Sequence, residues 1–169
     1  MAFIKNGSKT VSFAEYNDVL TADQRLFEAN EGLTDDVIEA FLIRSTDRIL
    51  NLFRQSDWWR DLYLKKSINP VYNTAADVPV INIENIKARQ DDFTDLCVYY
   101  ALWNYILPKV ADFSKEDNAE RAKIGFYQGK FQFLFDELVN SGDWYDLNAD
   151  GTITSNEKMP GNYALKRTR

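Results

Sequence analysis

Residues 34–55 read TDDVIEAFLIRSTDRILNLFRQ, and this stretch decides the fold class. Its apolar side chains recur at intervals of three and four residues, the period of an amphipathic α-helix with one face against a core. Thr34, followed by two aspartates, is a residue type that caps the first turn of a helix. The apolar face contains Ile38, Phe41, Leu42, Ser45, Ile49, Leu52 and Phe53. The sequence therefore predicts one long helix over residues 35–55.

Short helices are predicted on both sides of this long one. Ser12–Glu15 and Thr21–Gln24 have the capping-box pattern, a hydroxyl residue followed three positions later by Glu or Gln. Each pattern is expected to begin a short helix that precedes the long one. Downstream, Ser56 is placed to cap a further short helix that contains residues 58–63.

The second half of the chain predicts two more long helices. Helical spacing resumes from about Asn85 and is expected to end at Pro108, because proline has no N–H for the helical ladder. Ser114 begins the next pattern, and Asn, Ser and Gly at 140–142 are a typical helix stop. Residues 66–82 contain two prolines and short β-branched runs, so we predict an extended insertion or a short hairpin there.

These patterns predict an all-α fold: a small helical bundle with an extended insertion loop and an extended C-terminal arm. A chain of 169 residues, 45% of them apolar, is long enough for one domain with a substantial core. We expect residues 1–142 to form the helical domain. Residues 143–169 are expected to form an EF-hand-like loop and a basic arm.

Composition argues against catalysis. The chain has no histidine, which excludes serine–histidine and cysteine–histidine triads and imidazole metal sites. Neither a phosphate loop nor a dinucleotide-binding fingerprint occurs. A hydrolase with paired carboxylates stays open in principle, since 26 acidic residues supply many pairs, but no pair stands out. Cys97, the single cysteine, stands among apolar residues and is expected to be a small buried hydrophobe. We therefore expect a protein that is not an enzyme.

Charge and hydropathy limit the partners. A net charge of −6 argues against a nucleic-acid-binding body. The longest apolar run, Leu96–Trp103, is far shorter than the roughly 20 residues that a membrane span needs. No signal-peptide pattern follows the N-terminal lysines. We expect neither a membrane segment nor an intrachain disulfide framework.

Residues 146–157 read DLNADGTITSNE and have the spacing of a calcium loop. Side chains at loop positions one, three and five can converge on one ion, and glycine at position six allows the sharp turn. Glutamate at position twelve can supply two oxygens. The predicted calcium ligands are Asp146, Asn148, Asp150, Thr152 through its carbonyl, and Glu157. The alternative is an acidic surface turn built from Asn, Asp and Gly.

The flanks of this loop differ from those of an EF-hand. The helix stop at 140–142 leaves three residues before Asp146, and Pro160 follows Glu157 too closely for an exit helix. Sensor EF-hands act by moving such a helix. We therefore predict a structural calcium ion that orders the C-terminal segment, not a switch.

Two further segments are candidates for partner binding. Trp58 and Trp59 are adjacent in a predicted helix, where neighbouring side chains point about 100° apart, so both are not expected to face one core. Aromatic residues at helical spacing otherwise belong mostly to a core. The last twelve residues carry no acid and four cations, Lys158, Lys166, Arg167 and Arg169. This basic segment is either solvated or an arm that docks on an acidic partner or a phosphate backbone.

Four stretches together resemble the head–tail connector (adaptor) proteins of tailed bacteriophages. They are GLTDDVIEAFLIRSTDRILNLF at 32–53, SDWWR at 56–60 with a proline-containing loop after it, DDFTDLCVYYALWNYILPKVADF at 91–113, and DWYDLNADGTITSNEK at 143–158. The resemblance covers most of the chain and lies in pattern and arrangement. The calcium-type loop is its one sharp motif.

This resemblance implies a structural virion protein. Adaptors of this kind are small helical proteins that form a twelve-membered ring beneath the portal and join it to the tail or neck proteins. Their C-terminal arms reach the portal, and DNA passes through the lumen without sequence-specific binding. The protein would be made in the host cytoplasm and reside in the virion neck. The alternative is a stand-alone, calcium-stabilised protein-interaction module.

Overall fold

The computed structural model describes residues 3–29, 32–64, 77–114, 119–155 and 157, most of them helical. Two short strands come first, β1 (Ile4–Asn6) and β2 (Lys9–Ser12). The helices that follow are α1 (Tyr16–Ala22), α2 (Gln24–Ala29), α3 (Asp35–Gln55), α4 (Asp57–Leu64), α5 (Gln90–Ala101), α6 (Leu107–Val110) and α7 (Ala119–Ser141). A 3₁₀ turn occupies Ile83–Asn85, and a π-helical segment, Leu102–Ile106, joins α5 to α6.

The strands form an antiparallel hairpin, so the strictly all-α prediction is wrong: the chain is mostly helical with a small two-stranded sheet. Gly7 stands at the turn with φ 65°, a backbone conformation that glycine adopts readily. Asn6 pairs with Lys9 across this turn. Strands of three and four residues are too short to produce a clear alternating pattern, which is why the sequence pattern missed them.

The predicted long helices are confirmed: α3 has the predicted bounds, 35–55, whereas the second helical stretch begins at Gln90 instead of about Asn85. Thr34 precedes α3, and its carbonyl accepts the Ile38 N–H (3.1 Å). The prediction that the second helical stretch ends at Pro108 is wrong, because the chain continues helically to Val110. The π-helical segment ends at Ile106, and the proline stands in the first turn of α6, a position at which helices tolerate proline. Gly142 ends α7 at φ 56° and donates its N–H to the Leu138 carbonyl (3.2 Å), as the helix-stop pattern predicts.

The two capping-box predictions are wrong in position. Ser12 ends β2, and its hydroxyl donates to a carbonyl two residues later (2.7 Å). The cap of α1 is Glu15, whose backbone N–H donates to the Asp18 carboxylate (2.8 Å). Thr21 lies inside α1, where its hydroxyl donates to the carbonyl one turn earlier (2.8 Å). Each pattern therefore occurs near a helix start without forming it.

The chain divides into two compact units, Met1–Ile49 with Arg89–Asp136 and Leu50–Ala88 with Glu137–Arg169. In the first unit, Phe13 packs edge-on against Phe93, with ring centroids 5.3 Å apart. Cys97 is fully buried in the same unit, and burial raises the pKa of its thiol to about 12. This confirms the prediction of a small buried hydrophobe. No helix within the described ranges is both long and apolar enough to cross a membrane.

The second unit contains the segment predicted as an extended insertion. Residues 66–76 lie outside the described ranges. Residues 77–82 have no regular secondary structure, and they lead into the 3₁₀ turn at Ile83–Asn85. Val78 is fully buried and its carbonyl accepts a hydrogen bond from the Arg54 guanidinium (2.8 Å). The end of the insertion is therefore attached to the unit rather than projecting from it.

Candidate metal-binding loop

The loop 146–157 starts from a rigid support. Trp144, two residues before Asp146, is fully buried, and its indole N–H donates to the Leu138 carbonyl near the end of α7 (2.8 Å). Its ring lies 5.0 Å from that of Phe53 and 4.6 Å from that of Trp58, centroid to centroid. A buried indole with both ring contacts and a satisfied N–H holds the backbone that precedes the loop.

Trp58 and Trp59 complete this cluster, and the expectation that one of them faces solvent is wrong. Trp58 is 4% exposed and Trp59 is 1% exposed. Trp58 packs on Trp144, whereas Trp59 meets the ring of Tyr145 edge-on at 5.1 Å. The Trp59 indole N–H donates to the Pro79 carbonyl (2.8 Å). The two rings also contact each other, with centroids 5.3 Å apart, so both are buried in one aromatic cluster that Trp144 and Tyr145 complete.

A short backbone pairing positions the first predicted ligand. Tyr145 forms an isolated antiparallel bridge with Ile86, and the Asp146 N–H donates to the Asn85 carbonyl (2.9 Å). The Lys87 N–H donates in return to the Trp144 carbonyl (3.0 Å). Residues 85–87 are thus a part of the site that the sequence did not reveal, since the ligand spacing within 146–157 contains no information about this distant partner.

The first half of the loop is closed by its own side chains. One oxygen of Asp146, Oδ2, accepts the Gly151 N–H (2.8 Å). Asn148 Oδ1 accepts the Asp150 N–H (2.9 Å), and Asp150 Oδ1 accepts both the N–H and the hydroxyl of Thr152 (2.8 and 2.7 Å). Gly151 has φ 92°, a conformation that side chains rarely allow. The predicted turn at position six of the loop is therefore confirmed.

Glu157 ties the end of the loop to its beginning. Its Oε1 accepts the N–H groups of Leu147 and Asn148 (3.1 and 3.2 Å). Its Oε2 accepts the N–H and the hydroxyl of Thr154 (both 2.7 Å). The Glu157 side chain is buried, and four donors stabilise its charged form.

These hydrogen bonds favour the ionised form of two loop carboxylates, because they lower the pKa of each. The Thr154 hydroxyl, followed by the Thr154 N–H, lowers the pKa of Glu157. The Thr152 hydroxyl and N–H do the same for the pKa of Asp150. Deprotonated oxygens are what a hard divalent cation requires.

The fit to calcium depends on Asp146. Its side chain is fully buried, and its second oxygen, Oδ1, accepts no hydrogen bond from any residue that the structure describes. A buried carboxylate oxygen without a partner is unfavourable, and a cation would satisfy it. Among the described residues, no group of three acidic side chains is placed to hold a metal ion, and the other loop carboxylate oxygens accept hydrogen bonds from backbone N–H groups, hydroxyls or the Asn148 amide. The donor types therefore fit calcium, and occupancy of the site stays a prediction.

The candidate residues are only partly brought together. Asp146, Asn148, Asp150, Thr152 and Glu157 all belong to one hydrogen-bonded loop. Four further candidates lie outside the described ranges, namely Lys158, Lys166, Arg167 and Arg169.

No protein-family model, curated protein or solved structure matches the chain. The functional proposal therefore rests on the residues themselves.

Proposed function

We propose that this chain is a structural assembly protein, an adaptor in the head–tail connector of a tailed bacteriophage. It forms a ring beneath the portal and joins the portal to the tail or neck proteins. DNA passes through the lumen of the ring. The protein acts by protein–protein contact and not by catalysis.

One observation carries this proposal: three of the stretches that resemble adaptor proteins meet in the second unit. Phe53 belongs to the first of them, Trp58 and Trp59 to the second, and Trp144 and Tyr145 to the last. Their rings pack at centroid distances of 4.6–5.1 Å. Stretches that are separated in the sequence but support one another in space are expected when the shared pattern encodes one structural element.

That element carries the loop and, after it, the basic segment 158–169. We propose that calcium in the loop sets the direction in which this segment leaves and thereby lowers the ordering cost of docking on an acidic surface of the portal. The effect is modest, because no exit helix transmits it. The alternative function, a stand-alone calcium-stabilised module, uses the same unpartnered Asp146 oxygen, because calcium bound there would stabilise the loop in the absence of a portal as well.

Sedimentation velocity of the chain in calcium, with and without the portal ring of the same phage, separates the two functions. An adaptor joins the portal in a large complex, whereas a stand-alone module stays small and unbound. Asp146→Ala and Glu157→Ala are expected to weaken portal binding in calcium, while circular dichroism shows that the helices remain folded. Asp136→Ala, on the exposed surface of α7, is the matched control. Calcium uptake by wild type, together with unaltered portal binding by the two loop variants, would support the metal site and refute its role in docking.

A further inference from the structure

The first unit contains an open groove, and none of its lining residues belongs to the loop 146–157. It lies between α5 and α7 and has a volume of about 490 Å³. Phe126 and Phe133 line it from α7 and are 56% and 73% exposed. They are seven residues apart and thus lie on one side of the helix. Gly129 lies between them and leaves the centre of the groove open. Large apolar side chains exposed together in this way are typical of a surface that another protein covers.

The α5 side of this groove is acidic. Asp92 and Asp95 line it, and Lys130 faces them from α7 with its ammonium 4.9 Å from the centroid of the Phe126 ring. Partial burial and the Asp92 carboxylate raise the pKa of Asp95, although the Lys130 ammonium lowers it. At the N-terminal end of α5, Arg89 pairs with Asp92, so Asp95, which faces Lys130, is the acid of this groove that a partner's cation can approach. A further cation from a partner would be favourable here.

A second surface of the same unit has the opposite charge; we call it the cationic patch. The Arg44 guanidinium lies 4.9 Å from the centroid of the Tyr105 ring, and the Lys109 ammonium lies 5.2 Å from that of Phe41. The two rings stack with centroids 5.6 Å apart. Both cations are exposed, and Ile43 beside them is 42% exposed. The patch thus presents two cations above aromatic rings, next to an apolar side chain.

We propose that the groove between α5 and α7 receives the cationic patch of a second copy of this chain. Phe126 and Phe133 then contact apolar side chains of the neighbouring copy, and Arg44 of that copy approaches Asp95. This inference rests on the proposed function and deepens it, since it names the surfaces that join neighbouring subunits. Because the two surfaces differ, the contact is heterologous and repeats from copy to copy, as a closed ring requires.

Charge complementarity favours this occupant over a two-fold contact of groove against groove. A two-fold contact would bring the Asp95 carboxylates of the two copies towards each other, because Asp92 is already paired with Arg89 and Lys130 is the one cation in the described lining. Like charges brought together disfavour an interface, whereas opposite charges select the partner and its orientation. The cationic patch supplies the opposite charge together with apolar surface.

A charge exchange tests the proposal. Asp95→Lys and Arg44→Glu are each expected to weaken self-association about tenfold or more, and the double variant is expected to recover most of it. Asp136→Lys is the matched control, since it makes the same charge change on an exposed residue of α7 outside the groove lining. Phe133→Ser tests the apolar part of the contact. Native mass spectrometry and sedimentation velocity measure assembly with and without the portal ring, and circular dichroism checks each fold.

The outcomes separate this inference from the proposed function. Loss in both single variants with recovery in the double variant supports the contact. Wild-type assembly that Asp95→Lys and Arg44→Glu leave unchanged, or that the double variant fails to restore, overturns the inference while the adaptor function stands. Variants that still self-associate but no longer bind the portal also overturn it, because the groove then serves another partner. A wild-type chain that assembles neither alone nor on the portal overturns the adaptor function and this contact with it.

Discussion

Replacing Asp146 with asparagine separates the structural role of this side chain from metal binding. Asp146 Oδ2 accepts the Gly151 N–H at 2.8 Å, and the amide oxygen of asparagine can accept the same bond. Oδ1 is buried without a hydrogen-bond donor among the described residues. The Asp146→Asn variant would therefore keep the size and the turn contact while losing the negative charge and the free carboxylate oxygen.

The expected effect of Asp146→Asn on the free energy of unfolding depends on calcium. A buried polar atom that lacks a partner costs about 1–3 kcal/mol of folding free energy. Without calcium the variant loses that buried charge but gains an amide N–H₂ that also needs a partner. We therefore expect the free energy of unfolding of Asp146→Asn to equal that of wild type or to exceed it by about 1 kcal/mol. At a calcium concentration about 100 times Kd, wild type gains about 2.7 kcal/mol, and the variant loses most of this gain. Wild type is therefore the more stable form in calcium, although it has no advantage over the variant in chelator.

Urea unfolding in chelator and in calcium measures both values. Tryptophan fluorescence is the readout, because Trp144 lies two residues from Asp146 and packs on Trp58. Asp136→Asn is the control: it makes the same chemical change at an exposed residue, where its oxygen can still accept a hydrogen bond from Gln132. An equal loss of stability in both buffers would refute the reasoning, because Asp146 would then only support the turn. If calcium does not change the free energy of unfolding of wild type, residues 146–157 are an acidic turn and not a calcium site.

Three further outcomes are expected. Gly151→Ala should cost about 1–2 kcal/mol of unfolding free energy in urea titrations, because φ is 92° there. Folding lowers the pKa values of Asp150 and Glu157. Their contribution to folding stability is therefore complete above the ordinary carboxyl pKa range and is lost as pH falls through the lowered values. Amide NMR shifts of Thr152 and Thr154 report this titration. Cys97, with its thiol pKa raised to about 12, should react with a thiol reagent only as fast as the protein opens.

The sequence by itself determined the features whose cause is local. The long helix α3 follows from apolar residues at helical spacing, because one face of a helix must be buried wherever that helix packs. The end of α7 at Gly142 follows from a backbone conformation that glycine adopts most easily. The turn at Gly151 and the bonds from Asn148 and Asp150 are local as well, since each of these bonds joins residues two positions apart.

Other features needed the tertiary structure, because they depend on residues far apart in the chain. Trp58 and Trp59 are adjacent in one helix, and the contacts with Trp144, Tyr145 and the Pro79 carbonyl explain how both are buried. The pairing of 144–146 with 85–87 leaves no periodic trace in either segment.

The difference is clearest at Asp146. Ligand spacing predicts that this residue can bind calcium, since the spacing is a property of twelve consecutive residues. Its complete burial, its support by the Asn85 carbonyl and its one unpartnered oxygen arise from packing against a segment about sixty residues earlier. The sequence thus determined which atoms are available to a metal, and only the tertiary structure decided which of them is left without a partner.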